Sequence, residues 1–145
     1  MINITVLNGP NLNTLGIREP DIYGNSSQAD LERSLSDFAA GLDCSVAFEQ
    51  HDTQGDLCAA VNRSSGNSAG LVINPGGYSH TSVAVLDAMR AFQGPVVEVH
   101  ISPVHRREPY RHRMLTAQGA DAVISGAGKR GYLSAIEIIL ELLRR

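Results

Sequence analysis

A doubly wound, three-layer α/β fold, with a five-stranded parallel sheet between two layers of helices, is predicted by three features of this chain. Five short apolar runs alternate with helical patterns, the order that builds parallel sheets with right-handed helical crossovers. The 145 residues suit one domain, 1–145, able to bury roughly two-thirds of its unfolded surface. A hydrophobic content of 43% supplies an ordinary globular core.

The first strand is expected from Ile2 to Leu7, followed by a polar, Pro/Gly-rich loop. A helix over 27–41 follows, with Ser26 or Ser27 as its cap, Asp30 and Glu32 in its opening turns, and Gly41 where a helix would stop. Ser45 to Glu49 reads as the second strand and 54–65 as the second helix. The third strand, Gly70 to Asn74, leads through Pro75-Gly76-Gly77 to a helix over 80–92, for which Ser79 or Thr81 is the simplest cap. Pro95 to Ile101 forms the fourth strand. Pro103 and Pro109 break the segment 102–121, which predicts a loop with a short helix. Ala122 to Ser125 is the fifth strand, and the last helix, 129–144, carries Ile136, Ile139, Leu140 and Leu143 at spacings of three and four, fitting one buried stripe.

Right-handed crossovers between five strands suggest the flavodoxin-like order 2-1-3-4-5, in which ligands bind beyond the carboxyl ends of the strands, near the switch between strands 1 and 3. The loops after strands 1, 3 and 4 are then expected to share one crevice. They hold most of the unusual polar residues: Asn11 to Tyr23, Asn74 to His80, and His100 to Arg111.

Charge and composition narrow the function. A net charge of −3 argues against a general binder of nucleic acid or anionic membranes. No apolar run approaches the roughly 20 residues that span a bilayer, and the N-terminus lacks the regions of a signal peptide, so a cytoplasmic protein with no membrane partner is expected. Cys44 and Cys58 have neither metal-motif spacing nor the density of a disulfide scaffold, and read as packed thiols. The run Gly126-Ala127-Gly128-Lys129-Arg130-Gly131 matches the dinucleotide fingerprint, but it follows the last strand, and the acidic partner due about 20 positions on would fall beyond Arg145. Close helix packing explains it better. Lys129, the only lysine, follows the fifth strand, which argues against Schiff-base chemistry in the crevice.

Three constellations point to chemistry. Arg18 and Tyr23 lie five residues apart in the first loop. A phenol with a free pKa of about 10 acts as a base near neutrality only with a neighbour that favours the phenolate, and an arginine does so. In the fourth strand Glu98 and His100 are two apart and so on one face. A carboxylate in a parallel sheet is costly unless paired; accepting one ring N–H, it leaves the other nitrogen oriented for acid or base work. A plain structural ion pair is the competing reading. The turn from Asn74 to His80 and the arginines 106, 107, 111 and 113 can bind hydroxyls and anions, although most of those arginines suit solvated surface. A metal site is the weakest reading, because His51, His80, His105 and His112 lack ligand spacing.

Taken together, GPNLN at Asn11, REPxxYG at Arg18 and Tyr23, INPGGYSHTSVA at Asn74 and His80, and EVHIS from Glu98 to Ser102 closely resemble the type II 3-dehydroquinate dehydratases of the shikimate and quinate pathways, over about Ile2 to Leu142. The resemblance implies a lyase that converts 3-dehydroquinate to 3-dehydroshikimate by anti elimination of water through an enolate, with no metal or organic cofactor. It also implies a homo-oligomer, a dodecamer of four trimers. By resemblance the base falls on Tyr23, with Arg18 lowering its pKa, and Asn11 holds a water against the enolate oxygen. His100, oriented by Glu98, protonates the departing hydroxyl. Asn74, His80 and Arg111 bind the substrate's hydroxyls and carboxylate, Ile101 and Ser102 contribute backbone N–H groups, and Asp87 reaches a neighbouring subunit's site. Loop 18–24 is expected to act as a lid.

Pro103 stands where such proteins usually have Asn, Met114 where a Ser is common, and His51-Asp52-Thr53-Gln54 departs from the usual Gln-Ser-Asn-x-Glu. None of these is an acid, base or enolate position. Two other classes compete: a flavodoxin-like binding module that has kept the pocket but lost catalysis, and a metal-dependent hydrolase built on the histidines.

Overall fold

Central strands buried on both faces are apolar except where a polar side chain finds partners, and that requirement organises the computed structural model, which describes residues 1–12 and 27–145. Its elements are β1 (Ile2–Asn8), α1 (Gln28–Ala40), β2 (Cys44–Gln50), α2 (Gln54–Ser64), β3 (Gly70–Asn74), α3 (Val83–Ala91), β4 (Val96–His100), β5 (Ala122–Ser125) and α4 (Arg130–Leu143). The strands form one parallel sheet in the order β2-β1-β3-β4-β5, the order expected from the alternation of elements. All of β3 and β4 is buried, whereas the edge strands β2 and β5 are largely half-exposed.

Successive side chains of each strand point to opposite faces, which divides the core in two. Ile4, Val6, Val72, Val97 and Val99 pack under α1 and α4, against Leu31, Leu35, Ile136 and Ile139. Leu7, Leu71, Ile73 and Val96 pack under α2 and α3, against Leu57, Val61, Val85 and Met89. The α4 stripe runs through Tyr132, Ala135, Ile136, Ile139 and Leu140. Leu143, expected in it, is 38% exposed, because the stripe is complete one turn earlier and the final turn lies at the margin of the core.

Local chemistry sets the helix ends. Ser27 caps α1 in a capping box: its hydroxyl accepts from the Asp30 N–H, and the Asp30 carboxylate accepts from the Ser27 N–H. Those bonds, the Ser27 backbone N–H first, hold the Asp30 carboxyl below its ordinary range. Gly41 closes α1 in a right-handed conformation, so the position but not the freedom of glycine is used there. The expected helix over 80–92 starts later. Gly76–His80 forms a 3-10 turn, and Ser82, not Ser79 or Thr81, caps α3 by accepting from the Val85 N–H. Segment 102–121 contains three 3-10 turns, Val104–Arg106, Pro109–Arg111 and Thr116–Gly119, in place of one short helix.

Gly131 explains the fingerprint-like run. A Cβ there would lie 3.2 Å from Val99 and 3.3 Å from Ile124, so the glycine lets α4 approach the sheet closely. Cys44 is buried and Cys58 half-buried; neither forms a disulfide, and burial pushes both thiols above their ordinary value. Among the described residues no helix is long and apolar enough to cross a membrane.

Candidate active site

The carboxyl ends of β1, β3 and β4 open into one crevice, lined by Pro10, Asn11, Asn74, His80, His100, Ile101, Ser102, Arg107 and Arg111 among others. The three loops expected to meet there do meet. The Gly9 N–H donates to the Asn74 carbonyl at 2.7 Å and brings the first pair together, and Gln50 Nε2, at the end of β2, donates to the Gly9 carbonyl at 3.0 Å. A Cβ at Gly9 would lie 2.5 Å from the Pro75 carbonyl oxygen, so only glycine fits. Asn11 follows with φ 69°, a left-handed conformation that asparagine tolerates better than most residues. Arg18 and Tyr23 lie outside the described residues.

Strand periodicity puts Glu98 and His100 on the α2/α3 face, where both are buried, Glu98 completely. His100 Nε2 donates to Glu98 Oε2 at 2.7 Å. With Nε2 held by the carboxylate, Nδ1 is the ring nitrogen left to exchange a proton in the crevice. The carboxylate is satisfied further by two hydroxyls: Ser79 Oγ donates to Oε2 at 3.0 Å and Thr116 Oγ1 donates to Oε1 at 2.5 Å. This answers the cost of a buried charge, which needs hydrogen bonds as well as a counter-charge. Neither hydroxyl was expected here. Ser79 looked like a helix cap until the 3-10 turn aimed it inward, and Thr116 sits in the segment whose structure sequence patterns resolved least.

His80 stands beside His100, ring centroids 6.3 Å apart. Its Nδ1–H donates to the Arg113 carbonyl at 2.7 Å, so the neutral ring presents Nε2 as an acceptor. Burial, foremost, lowers its pKa below the ordinary value, and the charges of His100 and Arg111 push the same way. A neutral acceptor near pH 7 suits a substrate hydroxyl better than an anion.

Two of the four candidate arginines reach the crevice. Arg107 and Arg111 line it, while Arg106 and Arg113 are exposed. Arg107 Nη1 donates to Ser102 Oγ at 3.3 Å, and Arg111 Nε pairs with Glu108 Oε2 at 2.8 Å. The Glu108 N–H and then Arg111 hold the Glu108 carboxyl below its usual range. Asp87 does not line the crevice; it is exposed on α3. Among the described residues no three His, Cys, Asp or Glu side chains converge as a metal-ligand set.

From the opposite face of the sheet, α4 reaches the same strand ends. The wholly buried Tyr132 hydroxyl donates to Asn8 Oδ1 at 2.7 Å and accepts from Asn74 Nδ2 at 2.9 Å, and Asn74 Oδ1 accepts from the Gly76 N–H at 3.1 Å. Burial raises the Tyr132 phenol far above its ordinary pKa, so it remains protonated and structural. Tyr132→Phe should cost roughly 1–3 kcal/mol, because two buried amides lose their partner. Urea unfolding checks this: the midpoint should fall at constant slope, and an unmoved midpoint would show the clasp to be dispensable.

Comparison with known proteins agrees with this geometry. Residues 2–140 match the family model described as Dehydroquinase class II. A 3-dehydroquinate dehydratase of Bartonella bacilliformis is 49% identical over 141 residues, covering 97% of this chain and 89% of that protein. The crystal structure of type II dehydroquinase from Butyrivibrio crossotus superposes with a TM-score of 0.94 at 37% identity, covering 96% of this chain and 97% of the other. That of Propionibacterium acnes gives 0.94 at 34%, with 97% of each chain covered. A buried Glu–His couple, a polar crevice at the β1/β3 switch point and similarity along nearly the whole chain lead to one conclusion: the chain belongs to the class II dehydroquinase family.

Proposed function

We propose that this chain dehydrates 3-dehydroquinate to 3-dehydroshikimate as a lyase of the shikimate or quinate pathway, and that Glu98 and His100 supply the acid for loss of hydroxide. The observation that carries the reading is the buried 2.7 Å Glu98–His100 pair, whose His100 lines a crevice that also holds Asn11, Asn74, His80 and Arg111. Tyr23, its phenolate favoured by Arg18, removes a proton alpha to the ketone. The resulting enolate oxygen is stabilised by a water held on Asn11. His100, protonated at Nδ1, gives that proton to the departing hydroxyl, which leaves as water; Glu98 stabilises the imidazolium meanwhile. Asn74 and His80 receive substrate hydroxyls, and Arg111 with the Ile101 and Ser102 N–H groups receives the carboxylate.

The working unit in this proposal is one catalytic domain, 1–145, assembled as a dodecamer of trimers in the cytoplasm. The exposed position of Asp87 on α3 supports a reach into a neighbouring subunit, and two cysteines without a disulfide suit a reducing compartment. No metal or organic cofactor takes part. The test is ultraviolet absorbance of the conjugated enone when purified protein meets 3-dehydroquinate in the presence of a chelator. Absorbance should rise at the same rate with and without chelator. Binding without a rise, seen by calorimetry, would make the chain a silent binding module, and loss of the rise with chelator would make it metal-dependent.

A further inference from the structure

A glutamate in a strand can hold a histidine only if its own carboxylate is prevented from turning. The last torsion of glutamate is broad, with no staggered wells to fix it, so the orientation of Oε2 toward His100 must come from other contacts. Ser79 does not provide it alone: its Oγ lies 3.0 Å from Glu98 Oε2 and 3.3 Å from His100 Nε2, and so follows the pair. The other oxygen, Oε1, receives a single hydrogen bond among the described residues, from Thr116 Oγ1 at 2.5 Å. Thr116 is completely buried. It opens the 3-10 turn Thr116–Gly119, whose Gly119 abuts Leu86 and Met89 of α3, a backing of apolar side chains. Its other contacts, with Ser79 Oγ at 3.3 Å and the Ser79 carbonyl at 3.5 Å, are longer than that with Glu98.

We infer that Thr116 is a positioning residue for the acid of the reaction: its hydroxyl fixes the rotation of the Glu98 carboxylate and so keeps Oε2 on His100 Nε2. The inference rests on the reading of His100 as that acid. Of the titratable and charged groups, His100 on β4 bonds the carboxylate and His80 on the turn after β3 feels its charge, while Arg107 and Arg111 on the segment after β4 line the crevice beside His100. The flanking strands contribute only Ile73 and Val123 in register with Glu98. Without Thr116 the carboxylate keeps Ser79 and His100 but loses the bond on the oxygen facing away from the ring.

The test is kcat against pH for wild type, Thr116→Val, Thr116→Ser, Thr116→Ala and His100→Ala, with thermal melting of each. Thr116→Val should keep KM within about twofold, lower kcat about tenfold, the loss expected for one hydrogen bond to a charged group, and move the high-pH limb of kcat, on which the acid loses its proton, downward by about one pH unit, because a carboxylate free to turn stabilises the imidazolium less. Thr116→Ser should restore both rate and limb, because it returns the hydroxyl without the methyl. Should Thr116→Val fail to fold, the pair Thr116→Ser and Thr116→Ala makes the same comparison, since both lack the methyl and only one has the hydroxyl. A lower melting temperature with an unmoved pH profile would overturn the inference and leave Thr116 a structural residue. If His100→Ala turns over near the wild-type rate, the reading of His100 falls; if that variant is inactive while the Thr116 profiles stay unmoved, only the inference about Thr116 falls.

Discussion

Replacing His100 by Ala should lower kcat by about a thousandfold, within the range that a positioned general acid contributes, while KM changes little. The structure separates this loss from a loss of folding. Glu98 retains the Ser79 and Thr116 hydroxyls when the imidazole is removed, so its buried carboxylate is not orphaned. The ring lines the crevice and belongs to neither apolar cluster. The converse variant is less informative: Glu98→Ala would leave a histidine and two buried hydroxyls without their common acceptor, which mixes folding with chemistry. Steady-state rates from enone absorbance, with binding by calorimetry, check the prediction. A variant within fivefold of wild type would place the acid elsewhere, and His80, with its rings 6.3 Å from those of His100, would be the next residue to test.

How much of this was legible in sequence follows from the range of each interaction. Strands β3 and β5 begin and end where expected, at Gly70 and Asn74 and at Ala122 and Ser125, because turn residues bracket short apolar runs. The Glu98–His100 pair was legible because a strand repeats every two residues and nothing else is needed to bring them together. Thr116 was not: it meets Glu98 across 18 positions, from a segment with no period to read. Tyr132 meets Asn8 across 124 positions, and on helical spacing alone it is one more apolar member of a stripe. The start of α3 was placed too early for a related reason. The preceding residues satisfy helix-like spacing, yet Gly76–His80 turns more tightly as a 3-10 segment and so directs Ser79 to Glu98 instead of to the helix end. The crevice was therefore legible in outline, through the polar residues at strand ends, while the hydroxyls that hold the Glu98 carboxylate were not.

Tyr23→Phe should abolish turnover, by about a thousandfold or more, and leave substrate binding largely intact. The described tyrosines sharpen this expectation by elimination. Tyr132 is fully buried, hydrogen-bonded at its hydroxyl and shifted far from any useful pKa. Tyr110 is 66% exposed, beside Arg111, and neither it nor Tyr78 lines the crevice. The phenolate base proposed at Tyr23 therefore has no rival among the described tyrosines. The alternative base among the described residues is His80, whose neutral Nε2 faces no proton of its own and whose lowered pKa keeps it an acceptor. The two candidates differ in their pH dependence. A phenol activated by Arg18 gives a kcat that rises with pH until the phenolate is formed, and Arg18→Ala should move that rise toward the free phenol value near 10. A His80 base would instead give a rise centred below the ordinary histidine value of 6.5, unaffected by Arg18. Rate profiles of wild type, Tyr23→Phe and Arg18→Ala decide between them: an active Tyr23→Phe enzyme whose rate rises below pH 6.5 would transfer the role of base to His80.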